Sequence, residues 1–161
     1  MSSEIRFRQL AEEDWEVFRE VRLAALLDAP NAFSSSYKRE VAADEDNWRK
    51  RLGDRAQFVA ELDGKVVGTA GGIASDVTSA ALISMWVAPR ARGQGAAQGL
   101  VHQVLDWAKR EGFHAVCLWV TDGNAAAETL YARCGFTRTG ATQPVHSGEC
   151  LMELEMIRRL G

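Results

Sequence analysis

The sequence predicts an α/β (α+β) domain with a mixed central sheet of about six to seven strands and helices on both faces. Three observations lead there. Runs that alternate with period two, or are apolar throughout, interleave with runs of three- and four-residue periodicity, so strands and helices follow one another along the chain. Asp63-Gly64 sits between two β-rich runs and marks an antiparallel hairpin, because these residues tolerate the positive φ angles of a tight turn. A strand-helix-strand unit follows, and such a crossover joins parallel strands, so one sheet must hold both kinds of pairing. The length of 161 residues fits a single domain spanning the chain, since domains run to roughly 100–200 residues.

In residues 4–10, "EIRFRQL", Ile5, Phe7 and Gln9 alternate with Glu4, Arg6 and Arg8, as on a half-buried first strand. From Glu12 to Leu27 the apolar residues Trp15, Phe18, Val21 and Ala25, with Leu23 and Leu26, recur at helical spacing. Asp28-Ala29-Pro30-Asn31 ends that helix, because proline disfavours helical geometry in the residue before it. The stretch "AFSSSYKREVAADEDNWRKRLGD" predicts one or two short helices, the second from about Asp44 to Leu52 with Gly53 as its stop. "AQFVAELDGKVVGTAGGI" is the hairpin. Ala80 to Val87, "AALISMWV", is apolar nearly throughout and predicts a strand covered on both faces. Gly95 to Arg110 carries Leu100, Val101, Val104, Leu105 and Ala108 on one helical stripe, closed by Gly112. "HAVCLWVT" is another buried strand, Asn124 to Cys134 a helix, and "CLMELEM" an alternating last strand.

Hydrophobic residues at 47% and charged residues at 25% are ordinary globular usage. A net charge of −3 at pH 7 offers no basic field of the kind that holds nucleic acid or anionic lipid, so neither is an expected partner. Cys117, Cys134 and Cys150 are odd in number and lack the spacing of a metal site, so they read as free thiols in a reducing compartment and no metal is expected. Charges stand in "MSSEIRFRQLAEEDW" where a signal peptide needs its apolar stretch, and no window approaches the roughly 20 apolar residues of a membrane span. A cytoplasmic location follows as the expectation.

"VAPRARGQGAAQGLV", Val87 to Val101, crowds small residues where a strand hands over to a helix. A helix N-terminus leaves backbone N–H groups unpaired and carries partial positive charge, and it binds phosphate readily. Gly93, Gly95, Ala96 and Ala97 remove side chains that would hold a diphosphate off those amides, and Arg90 and Arg92 can add charge. The alternative is an ordinary tight turn. A P-loop would need a lysine before Ser or Thr, which the stretch lacks; a dinucleotide fingerprint spaces its glycines GxGxxG, whereas "GQGAAQG" puts the third one residue too far.

"RGQGAA" after "VAP" resembles the acetyl-CoA pyrophosphate loop of the GNAT superfamily of N-acetyltransferases, in the frame Arg92, Gly95, Ala97. A second stretch, "NAAAETLYARCGF", is similar to that family's other signature at Asn124, Ala127, Leu130, Tyr131, Gly135 and Phe136. On its own residues, Asn124 is equally a helix cap and Tyr131 a core residue on an apolar stripe.

The resemblance implies the GNAT fold and an acetyl-CoA-dependent N-acetyltransferase, in which a primary amine of a small molecule or peptide attacks the thioester directly. It implies that Met85, Trp86 and Val87 pair with the pantetheine arm, that the loop from Arg92 through Gly93, Gln94, Gly95, Ala96 and Ala97 to Gln98 holds the diphosphate, and that Asn124 contacts the cofactor. Tyr131 would protonate the departing thiolate. Family members often place a glutamate six residues before Val87, but this chain has Ala81 there. Glu40, Asp44 and His146 lie in segments that could overhang the amine and read as solvated surface groups. A homodimer is implied by the family alone. The alternative function is a GNAT module that binds CoA or acyl-CoA as a sensor or partner subunit without catalysis.

Overall fold

The structure, a computed structural model, describes residues 4–29, 36–145 and 151–161. Seven strands form one sheet: β1 (Ile5–Gln9), β2 (Ala56–Leu62), β3 (Lys65–Ala74), β4 (Ser79–Val87), β5 (Ala115–Thr121), β6 (Thr137–Pro144) and β7 (Met152–Arg159). Their order is β1-β2-β3-β4-β5-β7-β6. Every neighbouring pair is antiparallel except β4 and β5, so the sheet is mixed. The hairpin turns where expected: Leu62 pairs with Lys65, and Asp63 and Gly64 both take positive φ, 52° and 78°.

The helices are α1 (Trp15–Asp28), α2 (Tyr37–Val41), α3 (Glu45–Gly53), α4 (Ala96–Arg110) and α5 (Ala125–Arg133). The first differs from the periodicity reading. Glu12–Asp14 form a 3-10 turn ahead of it, where the Asp14 carboxylate accepts from the Ala11 backbone N–H at 2.9 Å. The serine- and charge-rich stretch yields two short helices, capped by the Ser36 hydroxyl and the Asp44 carboxylate. Asp44 is spent on that cap at the surface. His146 and Cys150 lie outside the described residues, while Cys134 is buried and Cys117 half-buried.

α4 covers one face of the sheet with the predicted stripe, in which Leu100, Val101, Val104 and Ala108 are wholly inaccessible. Glycines on β3 make that contact close. A Cβ at Gly72 would lie 2.6 Å from the Trp107 ring, and one at Gly68 would lie 3.1 Å from Leu100. α1 and α3 pack on β3 and β2 respectively, and Phe18 meets Trp48 edge to face at 5.4 Å between them. The seventh strand, which the count of six to seven left open and no stretch of sequence located, is β6, whose eight residues are all exposed. An edge strand without a buried face has no alternation to read.

Candidate active site

β4 and β5 pair in parallel only through Ser79, Ala80 and Ala81 against Ala115, Val116 and Cys117. Beyond that point they separate. The cause lies in β4: between the pairs Thr69↔Trp86 and Gly71↔Ile83 the strand carries one extra residue, and Ser84 takes a φ of 56°. Such a bulge bends its strand and raises the local twist, which turns β4 away from β5. The backbone of β4 from Leu82 onward therefore has no strand partner on its β5 side, and a cleft of about 1050 Å³ opens between the two.

One end of the cleft is the glycine loop. After Val87, Pro89–Ala91 make a 3-10 turn that buries Ala91, and Gly93 and Gly95 then take φ of 79° and 89°. Gly95 is the N-cap of α4 and supplies no side-chain cap; the N–H groups of Ala96, Ala97 and Gln98 precede the first intrahelical bond, from Gly99 to the Gly95 carbonyl at 3.0 Å. A Cβ at Gly93 or Gly95 would meet nothing within 4 Å, so the absent side chains leave open space over those donors. That arrangement fits the diphosphate of acetyl-CoA.

Met85, Trp86 and Val87 of β4 line the cleft, as do Arg92, Gly93, Gly95, Ala97 and Gln98 of the loop. Gln94 and Ala96 do not: the Gln94 amide donates to the Arg90 carbonyl at 3.1 Å, and the Ala96 side chain points into the core. Only their backbone N–H groups can serve a ligand. Arg92 is tied to the protein itself. Its Nε donates to the Val87 carbonyl at 3.0 Å and Nη2 to Asp28 at 2.8 Å, while the same Asp28 oxygen accepts from the Trp86 indole at 2.9 Å. Arg92 thus staples the loop to the end of α1. Asp28, which the sequence offered only as part of a helix break, is the hub of that staple.

The opposite wall is α5. Asn124 caps it, its Oδ1 accepting from the Ala127 N–H at 3.2 Å, and also lines the cleft, so the cap is present and its amide nitrogen is what remains to offer. Tyr131 lines the cleft too, with 7% of its surface exposed and its ring 6.0 Å from that of Phe136. Burial, with Cys134 a lesser cause, pushes its phenol up to about 12. The hydroxyl is therefore a proton donor throughout the neutral range. Ultraviolet absorbance of the phenolate should show one tyrosine still protonated above pH 11, and Tyr131→Phe should remove that step. Because folding favours the protonated phenol, its contribution to stability is complete below the ordinary tyrosine range and lost as pH rises through about 12.

Between the walls lies a charged cluster that sequence reasoning missed. Glu40 is 2% exposed, contrary to its reading as a solvated surface group. Arg22 of α1 grips it with Nε and Nη2, both at 3.0 Å, and Arg51 adds Nη1 at 2.8 Å. A carboxylate engaged by two guanidiniums and absent from the cleft wall holds Arg22 in place and is not positioned as a base. Arg22 Nη1 in turn donates to the Ser84 hydroxyl at 3.2 Å, which ties the cluster to the bulge. The available signal was Ser84, the polar residue inside "AALISMWV". Glu40→Ala should lower folding stability by about 3 kcal/mol, the low end for a broken buried pair because Arg51 keeps access to water; the denaturant midpoint measures it. Glu153 of β7 is the acidic side chain lining the cleft among the described residues. No group of three or more His, Cys, Asp or Glu side chains suited to a metal ion occurs among them, and none of their helices is long and apolar enough to cross a membrane.

The model of the Acetyltransferase (GNAT) family matches residues 8–136, most of the chain. The chain belongs to the GNAT family. This GNAT protein is 35% identical over 107 residues to an uncharacterized N-acetyltransferase of Mycobacterium bovis, covering 64% of this chain and 69% of that protein. It is 38% identical over 86 residues to N-acetylaspartate synthetase of Rattus norvegicus, covering 53% of this chain and 29% of that protein. Among solved structures, an acetyltransferase from Salmonella typhimurium with its cofactor acetyl-CoA superposes with a TM-score of 0.79 at 24% identity, covering 99% of this chain and 95% of that one; at that identity the likeness shows the fold. Ribosomal-protein-alanine N-acetyltransferase from Brucella melitensis gives a TM-score of 0.75 at 27% identity, covering 96% of this chain and 99% of that one.

Proposed function

We propose that this chain is a cytoplasmic acetyl-CoA-dependent N-acetyltransferase that acetylates a primary amine by direct attack. The observation that carries the reading is the cleft itself: the parted β4 and β5 join the open glycine loop at one end to Tyr131 on the α5 wall. When bound, acetyl-CoA supplies an activated acyl carbon and a thiolate leaving group.

The chain's own residues supply the rest. Amides of the glycine loop at the start of α4 hold the diphosphate. The backbone of β4 from Met85 to Val87, which has no strand partner on its β5 side, aligns the pantetheine arm, and fixed dipoles at the parted strands stabilise charge as it develops on the thioester oxygen. The amine nitrogen forms the new C–N bond as the C–S bond breaks, and the Tyr131 hydroxyl donates its proton to the departing sulfur. Glu153 lines the cleft and can accept the proton that the amine loses. Free-thiol release from acetyl-CoA, followed across a panel of amines, tests the reading. CoA binding without thiol release for any amine would favour the non-catalytic module.

A further inference from the structure

We infer that the acceptor is an amine carrying its own carboxylate within a few bonds of the nitrogen, such as a free amino acid, and that Arg55 reads that carboxylate. This rests on the N-acetyltransferase reading and narrows its substrate class. Among the described residues, four arginines and one glutamate line the cleft: Arg22, Arg55, Arg92 and Arg133 against Glu153. Asp28 answers Arg92, and Glu40 answers Arg22.

Arg55, just ahead of β2, stands differently. Its guanidinium lies 5.7 Å from the Phe18 ring, and its Nε is buried with no hydrogen-bond partner among the described residues. Arg22 and Arg51 act on it with like charge and Glu40 and Asp54 with opposite charge, but Glu40 is already held by those two arginines and Asp54 lies exposed at the end of α3. Burial above all, and then these like charges, push the Arg55 guanidinium below its ordinary range. Three guanidiniums outnumber the single buried carboxylate among them, and a partly desolvated one left over is unfavourable unless a further anion joins it. An incoming carboxylate meets that deficit, and a guanidinium fork matches its two oxygens.

Position identifies the anion as part of the acceptor. Arg22 donates to Ser84, which lies on the bulged segment of β4 directly before Met85, beside the parted strands where the amine must meet the thioester. Ser84 is three residues short of the strand's end at Val87, roughly 10 Å of chain from the start of the glycine loop. The diphosphate at α4 therefore does not fill the Arg55 end. A carboxylate held by Arg55 on an amine delivered to the parted strands belongs to the acceptor itself; a free amino acid carries one close to its nitrogen, whereas the N-terminal residue of a protein has an amide carbonyl in that place.

The test compares each of several L-amino acids with its carboxamide, using purified protein, acetyl-CoA and thiol release. The free acids should exceed the carboxamides at least tenfold in kcat/KM, mainly through KM. In Arg55→Gln that ratio should collapse toward one, and Arg55→Lys, which keeps the charge without the fork, should fall between. Equal use of acid and carboxamide, a ratio that survives Arg55→Gln, or a stronger response to the aminophosphonate of the same skeleton would each overturn the assignment. Calorimetry of the same amino acids on the CoA-loaded protein judges the anion site apart from turnover. Carboxylate binding that weakens in Arg55→Gln supports the site even if no amine releases thiol, a result that would sink the catalytic reading alone. Absence of carboxylate binding overturns the site.

Discussion

Tyr131→Phe should lower turnover by roughly 10²–10⁴-fold, the usual worth of a positioned proton donor, while the affinity for acetyl-CoA stays nearly unchanged. The substitution removes one oxygen and keeps the ring, which packs against Phe136 at 6.0 Å in a setting 7% exposed. Stability should therefore move little, which separates a chemical role from a packing role. With the phenol pushed up to about 12 by burial, the hydroxyl is fully protonated at neutral pH and loses none of its donor capacity to ionisation. The same burial means that a hydrogen bond to the leaving sulfur forms in poorly screened surroundings, where it counts for more than in water. Steady-state kinetics at saturating acetyl-CoA, with the cofactor Kd measured separately, provide the check. Turnover equal to that of the unaltered protein would remove Tyr131 from the mechanism.

The second large effect is at the glycine loop, where Gly95→Asp should abolish acetyl-CoA binding without unfolding the protein. Gly95 holds a φ of 89°, so any side chain adds strain of about 1–2 kcal/mol. Its Cβ would nevertheless meet no protein atom within 4 Å. A negative side chain at the N-terminus of α4 also suits the helix dipole. The cost therefore falls on the ligand: a carboxylate would stand over the amides assigned to the diphosphate and repel it. Thermal unfolding with and without acetyl-CoA reads this directly, because a ligand that binds the folded state raises the midpoint with concentration. The midpoint should rise for the unaltered protein and stay fixed for Gly95→Asp. A rise that survived would mean that the diphosphate lies elsewhere.

Most of the sheet and the glycine loop were legible because their signals are local. The hairpin announced itself through Asp63-Gly64, α4 through its stripe from Leu100 to Ala108, and the loop through glycines that stand where positive φ is required. The position of β6 was not legible, since a strand with every residue exposed shows no alternation. The start of α1 was misplaced because Glu12–Asp14, a 3-10 turn without a buried residue, has no apolar periodicity to betray it.

The charged cluster marks the other limit. Glu40, Arg51 and Arg55 have charged neighbours along the chain and Arg22 follows the charged pair Arg19-Glu20 on its helix, and there a charge ordinarily means a solvated face. Glu40 is buried only because α2 carries it against Arg22 of α1 and Arg51 of α3, 18 and 11 residues distant in sequence. Local spacing of glycines, apolar residues and turn formers sets the backbone of the anion loop and the alternation of elements, because those depend on φ, ψ and nearest-neighbour burial. Whether an arginine meets a carboxylate, water or an incoming substrate depends on which elements pack together, and that is settled by long-range contacts such as the bulge at Ser84 and the separation of β4 from β5.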